Sequence, residues 1–368
     1  MKIDTQITSD VLRSLLDTFW KVSASKIRLI ERDFDTTLGA PVFTANGQYT
    51  TRGWTEWTQG FQFGSCLIQF DATGEKEFLD LGRNNTVSKM APHLTHSGVH
   101  DHGFNTVSTY GNLLRLMIEE KISHSDWEKR FYEMALKISG AVQAMRWTEI
   151  RDGGFIFSFN GKHSLFVDTI RSCRMLNISH RLGHFLGGEN DVKINLFHRA
   201  VRHLLATARY SIYYGEGRDV YDVAGRTAHE SIFNVADGNF RCPSSQQGYS
   251  PFSTWTRGLA WAMCGFAEQL EFVSTVDKDE FEVGIEKDDV LKILARAAMV
   301  TSDFYIENSC ADGIPFWDTG APGLRNIDLN GISNPHNDYE PVDSSAAAIG
   351  AQGLLRLGHY LTALGDSR

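Results

Sequence analysis

A chain of 368 residues, 42% hydrophobic and 22% charged, can bury one large core or two ordinary ones. Its net charge of −9 and the lack of a Lys/Arg block argue against nucleic-acid binding, although local arginines would still suffice for an anionic substrate. No run reaches transmembrane length and the first residues, MKIDTQITSDVLRSLLDTFW, lack a signal-peptide core. A cytoplasmic protein with no membrane partner is expected, or a periplasmic one if a signal was trimmed.

From Asp10 to about Glu31, Val11, Leu15, Phe19 and Val22 recur at helical spacing and predict a first, amphipathic helix. The stretch from Trp54 to Phe70 is apolar on nearly all sides and predicts a buried helix. GEKEFLDLGRNNTVSKM follows with a more polar face. Phe104, Val107, Gly111, Leu114 and Ile118 mark the next buried stripe, and Asp126 to Val142 is amphipathic. A short glycine-containing, β-like segment, DGGFIFSFNGKHSLFVD, comes next. Helices are then predicted from about Thr169, Asn190, Ser253, Asp288 and Ser344. Cys66, Cys173, Cys242, Cys264 and Cys310 are scattered without a CxxC, so neither a zinc site nor a disulfide framework is expected.

More buried helices thus alternate with more amphipathic ones. That pattern suits inner and outer layers of helical hairpins arranged in a ring, within a single domain over residues 1–368. The small residues of DSSAAAIGAQGLLRLGHYL would let the last inner helix approach its neighbours closely. Inner helices of such a ring run parallel, so their N-termini share one rim. Asp101, Asp168 and Asp343 each stand just before an inner helix, and Trp57 and Trp255 fall in first turns. Singly these are caps and core aromatics. Together they predict a polar cleft with aromatic walls at the positive ends of helices.

Paired carboxylates suit glycosidic chemistry, one as a protonated acid and one as an ionised partner. Asp101 and Asp168 are the candidate pair. His93, His96, His100 and His102 are dense, but His100 and His102 lack the i, i+4 geometry of a helical metal site. Metal binding is therefore disfavoured, and no cofactor is expected. No GxSxG, P-loop or dinucleotide fingerprint occurs.

The stretches EWTQGFQFG, HDHGF, SFNGKHSLFVD, QQGYSPFSTWTRGLAW, IPFWDTGAP and DSSAAAIGAQGLLRL together resemble glycoside hydrolase family 88, the unsaturated glucuronyl hydrolases. The resemblance runs through most of the chain. It implies an all-α fold, an (α/α)6 barrel. It also implies removal of a 4,5-unsaturated glucuronic acid from the non-reducing end of oligosaccharides made by polysaccharide lyases. The chemistry so implied is hydration of the C4=C5 vinyl ether. A carboxylic acid protonates C4, its carboxylate helps water add at C5, and the hemiketal collapses.

Carried over by motif, Asp168 matches the general acid/base and Asp101 the second catalytic-site aspartate. Trp57, Trp255 and Arg257 match substrate contacts, with His100 and Gln247 beside them, and His203 is a looser match. Arg257 suits a uronate carboxylate through its planar fork, and indole faces suit the C–H surface of a sugar ring. The acid role requires Asp168 to be protonated near neutral pH, which partial burial and a neighbouring carboxylate would favour.

The chain departs from the family pattern in four places. DTIRSC replaces a D-C-x-M-N continuation, which sets Arg171 one turn from Asp168. Leu259 stands where glutamine is usual, and GFQFG replaces GFWPG. Five inner–outer pairs are found, where the family carries a sixth hairpin. The alternatives are a related unsaturated rhamnogalacturonyl hydrolase or sugar epimerase, and a catalytically silent glycan-binding homologue.

Overall fold

The structure, a computed structural model, describes residues 1–4, 6–51, 53 and 57–366. Trp54 and Glu56, in the stretch that heads the second predicted helix, lie outside the described residues. In chain order come α1 (Ser9–Asp33), β1 (Phe43–Ala45), β2 (Gln48–Thr50), α2 (Thr58–Thr73), α3 (Lys76–Lys89) and α4 (Ala91–Leu94). Next are α5 (His102–Thr106), α6 (Asn112–Ile118), α7 (Asp126–Met145), β3 (Trp147–Ile150), β4 (Gly153–Ile156), β5 (Ser164–Phe166) and α8 (Cys173–Arg181). Then come β6 (Leu186–Gly187), β7 (Lys193–Ile194), α9 (Leu196–Tyr210), β8 (Glu230–Phe233), β9 (Phe240–Ser244), α10 (Thr256–Ser274), α11 (Lys287–Asn308) and α12 (Ser344–Ala363). Among the described residues no helix is long and apolar enough to cross a membrane.

The chain divides into two compact units, one of Asp4–Met145 with Ile178–Ile194, the other of Met1–Ile3, Arg146–Asn177 and Asn195–Arg368. In the first unit, α1 forms where its spacing predicted, yet Val11, Leu15, Phe19 and Val22 are exposed. Burial on α1 falls instead on Ala24 and Ile27, which pack with Cys66 and Phe78. Helix α2 crosses α5 and the turn that follows it at very short range. A Cβ on Gly60 would stand 2.4 Å from the Asn105 Cα, and one on Gly64 2.6 Å from the Ser108 carbonyl oxygen. The Gly60 amide donates to Asn105 Oδ1 (2.9 Å), which locks the crossing. The buried stripe from Phe104 to Ile118 is one run in sequence but three pieces in space: α5, a π-helical turn at Val107–Gly111, and α6.

In the second unit, β5, β8 and β9 form an antiparallel sheet in which Phe166 pairs with Glu230. The pairing extends one step past β5, because the Val167 amide donates to the His229 carbonyl (2.9 Å). The chain then turns through a short 3-10 segment, Val167–Ser172, into α8. Helix α9 begins at Leu196, later than predicted, because the Asn195 side chain accepts from the Phe197 and His198 amides and caps it there. Helix α10 is buried on nearly every side. Gly353 lets α12 close on it, since a Cβ there would meet the Cys264 amide nitrogen at 2.8 Å. Ahead of α10 and α12, single antiparallel bridges pair Trp255 with Asp318 and Phe316 with Val342.

Candidate active site

Asp168 is the second residue of the 3-10 turn that leaves β5, and it is only 8% exposed. The sheet fixes where it begins. Val167, just before it, is tied to the His229 backbone, and the His229 ring lies 4.4 Å from the Phe166 ring and 4.8 Å from the Trp255 ring. Two backbone amides, of Gln246 (3.0 Å) and Gln247 (3.3 Å), donate to His229 Nδ1. An amide N–H cannot accept, so Nδ1 carries the lone pair and the neutral ring holds its proton on Nε2. No motif of the sequence singles out His229. Its placement follows from the pairing of β5 with β8, which no local motif signals.

Trp255 sits just before α10 and is buried, while Arg257, in the first turn, keeps its side chain 30% exposed. The guanidinium lies over the indole, 4.9 Å from the ring centroid, a favourable cation–π placement. Its Nη1 pairs with Asp343 Oδ2 (3.2 Å) and donates to Ser345 Oγ (3.2 Å). The other Asp343 oxygen accepts from the Ala346 amide (2.8 Å) and the Ser345 hydroxyl (2.6 Å). Asp343 is thus both the N-cap of α12 and the anchor of Arg257. Asp318 anchors the loop before Trp255 in the same way. Fully buried, it accepts from the Tyr249 amide (2.9 Å) and the Gly320 amide (2.8 Å), and burial pushes its carboxyl above the usual carboxylate range. Gln247 is exposed on that loop.

The departures at Arg171 and Leu259 fall away from this cluster. Arg171 is buried against α10, where Nη1 pairs with Glu268 Oε2 (3.0 Å) and the guanidinium lies over Trp261. Its charge is therefore compensated locally. Leu259 is buried with Met263, Phe304 and Tyr305, on the face of α10 turned to α11. His203, expected as a sugar contact, lies fully buried on α9, where Nδ1 accepts from the Ile156 amide (3.1 Å) and Nε2 is 3.4 Å from Thr207 Oγ1. It joins α9 to β4, and this geometry lends no support to a sugar contact.

In the other unit, Asp101 holds the N-cap position of α5 but its carboxylate makes no capping bond. Its carbonyl serves the helix, accepting from the Phe104 (2.9 Å) and Asn105 (3.1 Å) amides. The simple capping role that its position suggests is therefore not the role of this side chain, which is 14% exposed. His100 is buried beside it, with Nε2 3.8 Å from Asp101 Oδ1. Trp57, just before α2, packs against Phe61 (5.7 Å) and Phe104 (5.8 Å), so the indole stands against the same short helix that Asp101 begins.

No family model matches the sequence. Curated relatives do. An unsaturated glucuronyl hydrolase of Formosa agariphila is 23% identical over 311 residues, 83% of this chain and 64% of that protein. One of Bacillus sp. strain GL1 is 23% identical over 329 residues, 87% of this chain and 72% of that protein. The chain thus spans a little under two thirds of the Formosa protein. The solved structure of the Bacillus sp. GL1 enzyme, described as responsible for the degradation of glycosaminoglycan, superposes with a TM-score of 0.67 at 20% identity, covering 92% of this chain and 78% of that one. An unsaturated glucuronyl hydrolase specific for heparin gives a TM-score of 0.69 at 18% identity, covering 92% and 77%. These likenesses show the fold, the helical α/α barrel by which those structures are known. Along most of its length, in sequence and in fold, the chain is similar to the unsaturated glucuronyl hydrolases of glycoside hydrolase family 88.

Proposed function

We propose that the chain is a hydrolase that removes a 4,5-unsaturated glucuronic acid from the non-reducing end of lyase-generated oligosaccharides. Asp168, as the carboxylic acid, gives its proton to C4 of the vinyl ether. The Asp168 carboxylate then takes a proton from the water that adds at C5. The C5 hemiketal so formed opens at C5–O5 to a ketone, and the hemiacetal left at C1 collapses to an aldehyde and releases the remaining sugar as an alcohol. Arg257, with Nη1 held by Asp343, offers its remaining guanidinium edge to the uronate carboxylate. Trp255 offers an apolar wall. Asp101 enters as the second aspartate on the family pattern, with Trp57 and His100 beside it as sugar contacts.

The observation that carries this reading is the position of Asp168. It is a nearly buried carboxyl that begins one residue past a strand pairing fixed by His229. The relatives named unsaturated glucuronyl hydrolase support it. The test is the ultraviolet absorbance of unsaturated glucuronyl disaccharides, because hydration destroys the C4=C5 chromophore. Wild type is expected to abolish the absorbance, and Asp168→Asn to slow its loss by about 10²–10⁴-fold. A folded wild-type protein that leaves the chromophore intact across several linkages would sink the reading.

A further inference from the structure

The loop from Gln247 to Trp255 begins and ends at residues of the candidate site, and its middle carries an exposed aromatic pair. Phe252 is 45% exposed and Tyr221 47% exposed, and their rings stack at 4.4 Å with an interplanar angle of 25°. Each ring covers one face of the other and leaves the rest to solvent. Tyr249, three residues before Phe252, is also exposed.

The pair is held from below. Arg226 is buried, donates from Nη1 to the Pro251 carbonyl (3.2 Å), and reaches toward Asp219 at 3.6 Å. The loop that carries Tyr221 is clasped by the Asp222 carboxylate, which accepts from the Gly215 (2.9 Å), Glu216 (3.1 Å) and Arg218 (2.7 Å) amides. The Thr227 amide donates to Thr254 Oγ1 (3.1 Å), so the two loops are joined at a second point. Both run straight on into the site, one to His229 and the other to Trp255. The pair therefore stands on pinned backbone, with little freedom left to lose on binding.

We propose that Tyr221 and Phe252 form an accessory sugar platform that stacks a pyranose of the substrate beyond the unsaturated residue. The inference rests on the function proposed above, which requires the remainder of an oligosaccharide to leave the site across its rim. A pyranose presents a C–H face to an aromatic ring and hydroxyls to the surrounding water and backbone. Two rings also match one or two sugars far better than they match a protein interface, which needs many more residues a side.

The test compares two substrates in wild type, Phe252→Ala, Tyr221→Ala and Phe252→Trp. One is the methyl glycoside of the unsaturated glucuronate, which cannot reach the platform. The other is an unsaturated tetrasaccharide. The alanine variants should raise KM for the tetrasaccharide about threefold to tenfold, leave the methyl glycoside unchanged, and retain kcat. Phe252→Trp should keep wild-type KM. Equal losses on both substrates, or no change on either, would overturn the platform. A second readout does not need turnover: a saturated tetrasaccharide should shift the ring protons of Tyr221 and Phe252 in the wild-type NMR spectrum. If wild type hydrolyses neither substrate, the proposed function fails. Unshifted ring protons overturn the platform by themselves.

Discussion

Removing Arg171 while keeping Glu268 strands a carboxylate in the core. The two side chains are only 6% and 9% exposed and meet at 3.0 Å. Breaking a buried pair from one side costs about 3–5 kcal/mol, because the surviving charge has lost water and its directly bonded partner. Arg171→Met should destabilise the protein by that amount. Replacing both groups by apolar residues of similar volume is usually neutral or stabilising by about 1–4 kcal/mol. A third charge bears on this case. Arg174 is half-buried, and its guanidinium is lowered to about 10, first by desolvation, then by repulsion from Arg171, with Glu268 pulling the other way. The double variant Arg171→Met/Glu268→Leu removes that repulsion and that attraction together. Urea unfolding followed by tryptophan fluorescence should place the double variant at or above wild type and the single variant well below. A single variant within about 1 kcal/mol of wild type, or a double variant as weak as the single, would refute this account.

His93 should be a pH sensor of stability. It is buried against Gln59 Oε1 (2.8 Å), and burial, aided by the charge of His96, lowers its pKa to about 4. Because the folded pKa lies below the unfolded value of about 6.5, the unfolded chain takes up the proton first. The contribution is complete above about pH 6.5 and fades as pH falls toward 4, by on the order of 3 kcal/mol. An NMR titration of His93 with a midpoint near 6.5 would contradict it. His229→Phe should destabilise by about 1–3 kcal/mol, since it leaves the Gln246 and Gln247 amides without their acceptor. His229→Asn, with an oxygen near the Nδ1 position, should recover part of that in thermal unfolding, and equal losses in the two variants would count against the assigned tautomer.

Periodicity made the helices legible, because a 3.6-residue apolar stripe survives any packing detail. It did not reveal which partner covers a stripe, so α1 was placed correctly while Val11, Leu15, Phe19 and Val22 stand exposed. The π-helical turn at Val107–Gly111 was invisible for a related reason. One extra residue in a turn changes the hydrogen bonding without interrupting an apolar run. Strands β8 and β9 were also missed. Their segments, ESIF and FRCPS, are too short for alternation to stand out, and the pairing of β8 with β5 is a long-range contact. That gap is the one that hid His229. Residues whose role depends on a local position, such as Asp343 before its helix, were legible. Those whose role depends on a partner far along the chain, such as Arg171 with Glu268, were not.

The departures from the family pattern look less disruptive once their partners are known. Arg171 introduces a positive charge one turn from Asp168, and taken alone it would oppose an acid there. In the structure Glu268 faces it on α10, and Trp261 lies under the guanidinium. Leu259 replaces a polar residue, but it packs among apolar side chains on the α11 side of the same helix. Arg257, Trp261, Cys264 and Glu268 recur every three or four residues along the other face. One helix thus carries Arg257 at its head and the counter-ion of Arg171 three turns deeper. The same buried pair that neutralises Arg171 also fastens the turn of Asp168 to the helix of Arg257. Charge compensation and the spacing of these two candidate site residues are consequently one structural requirement.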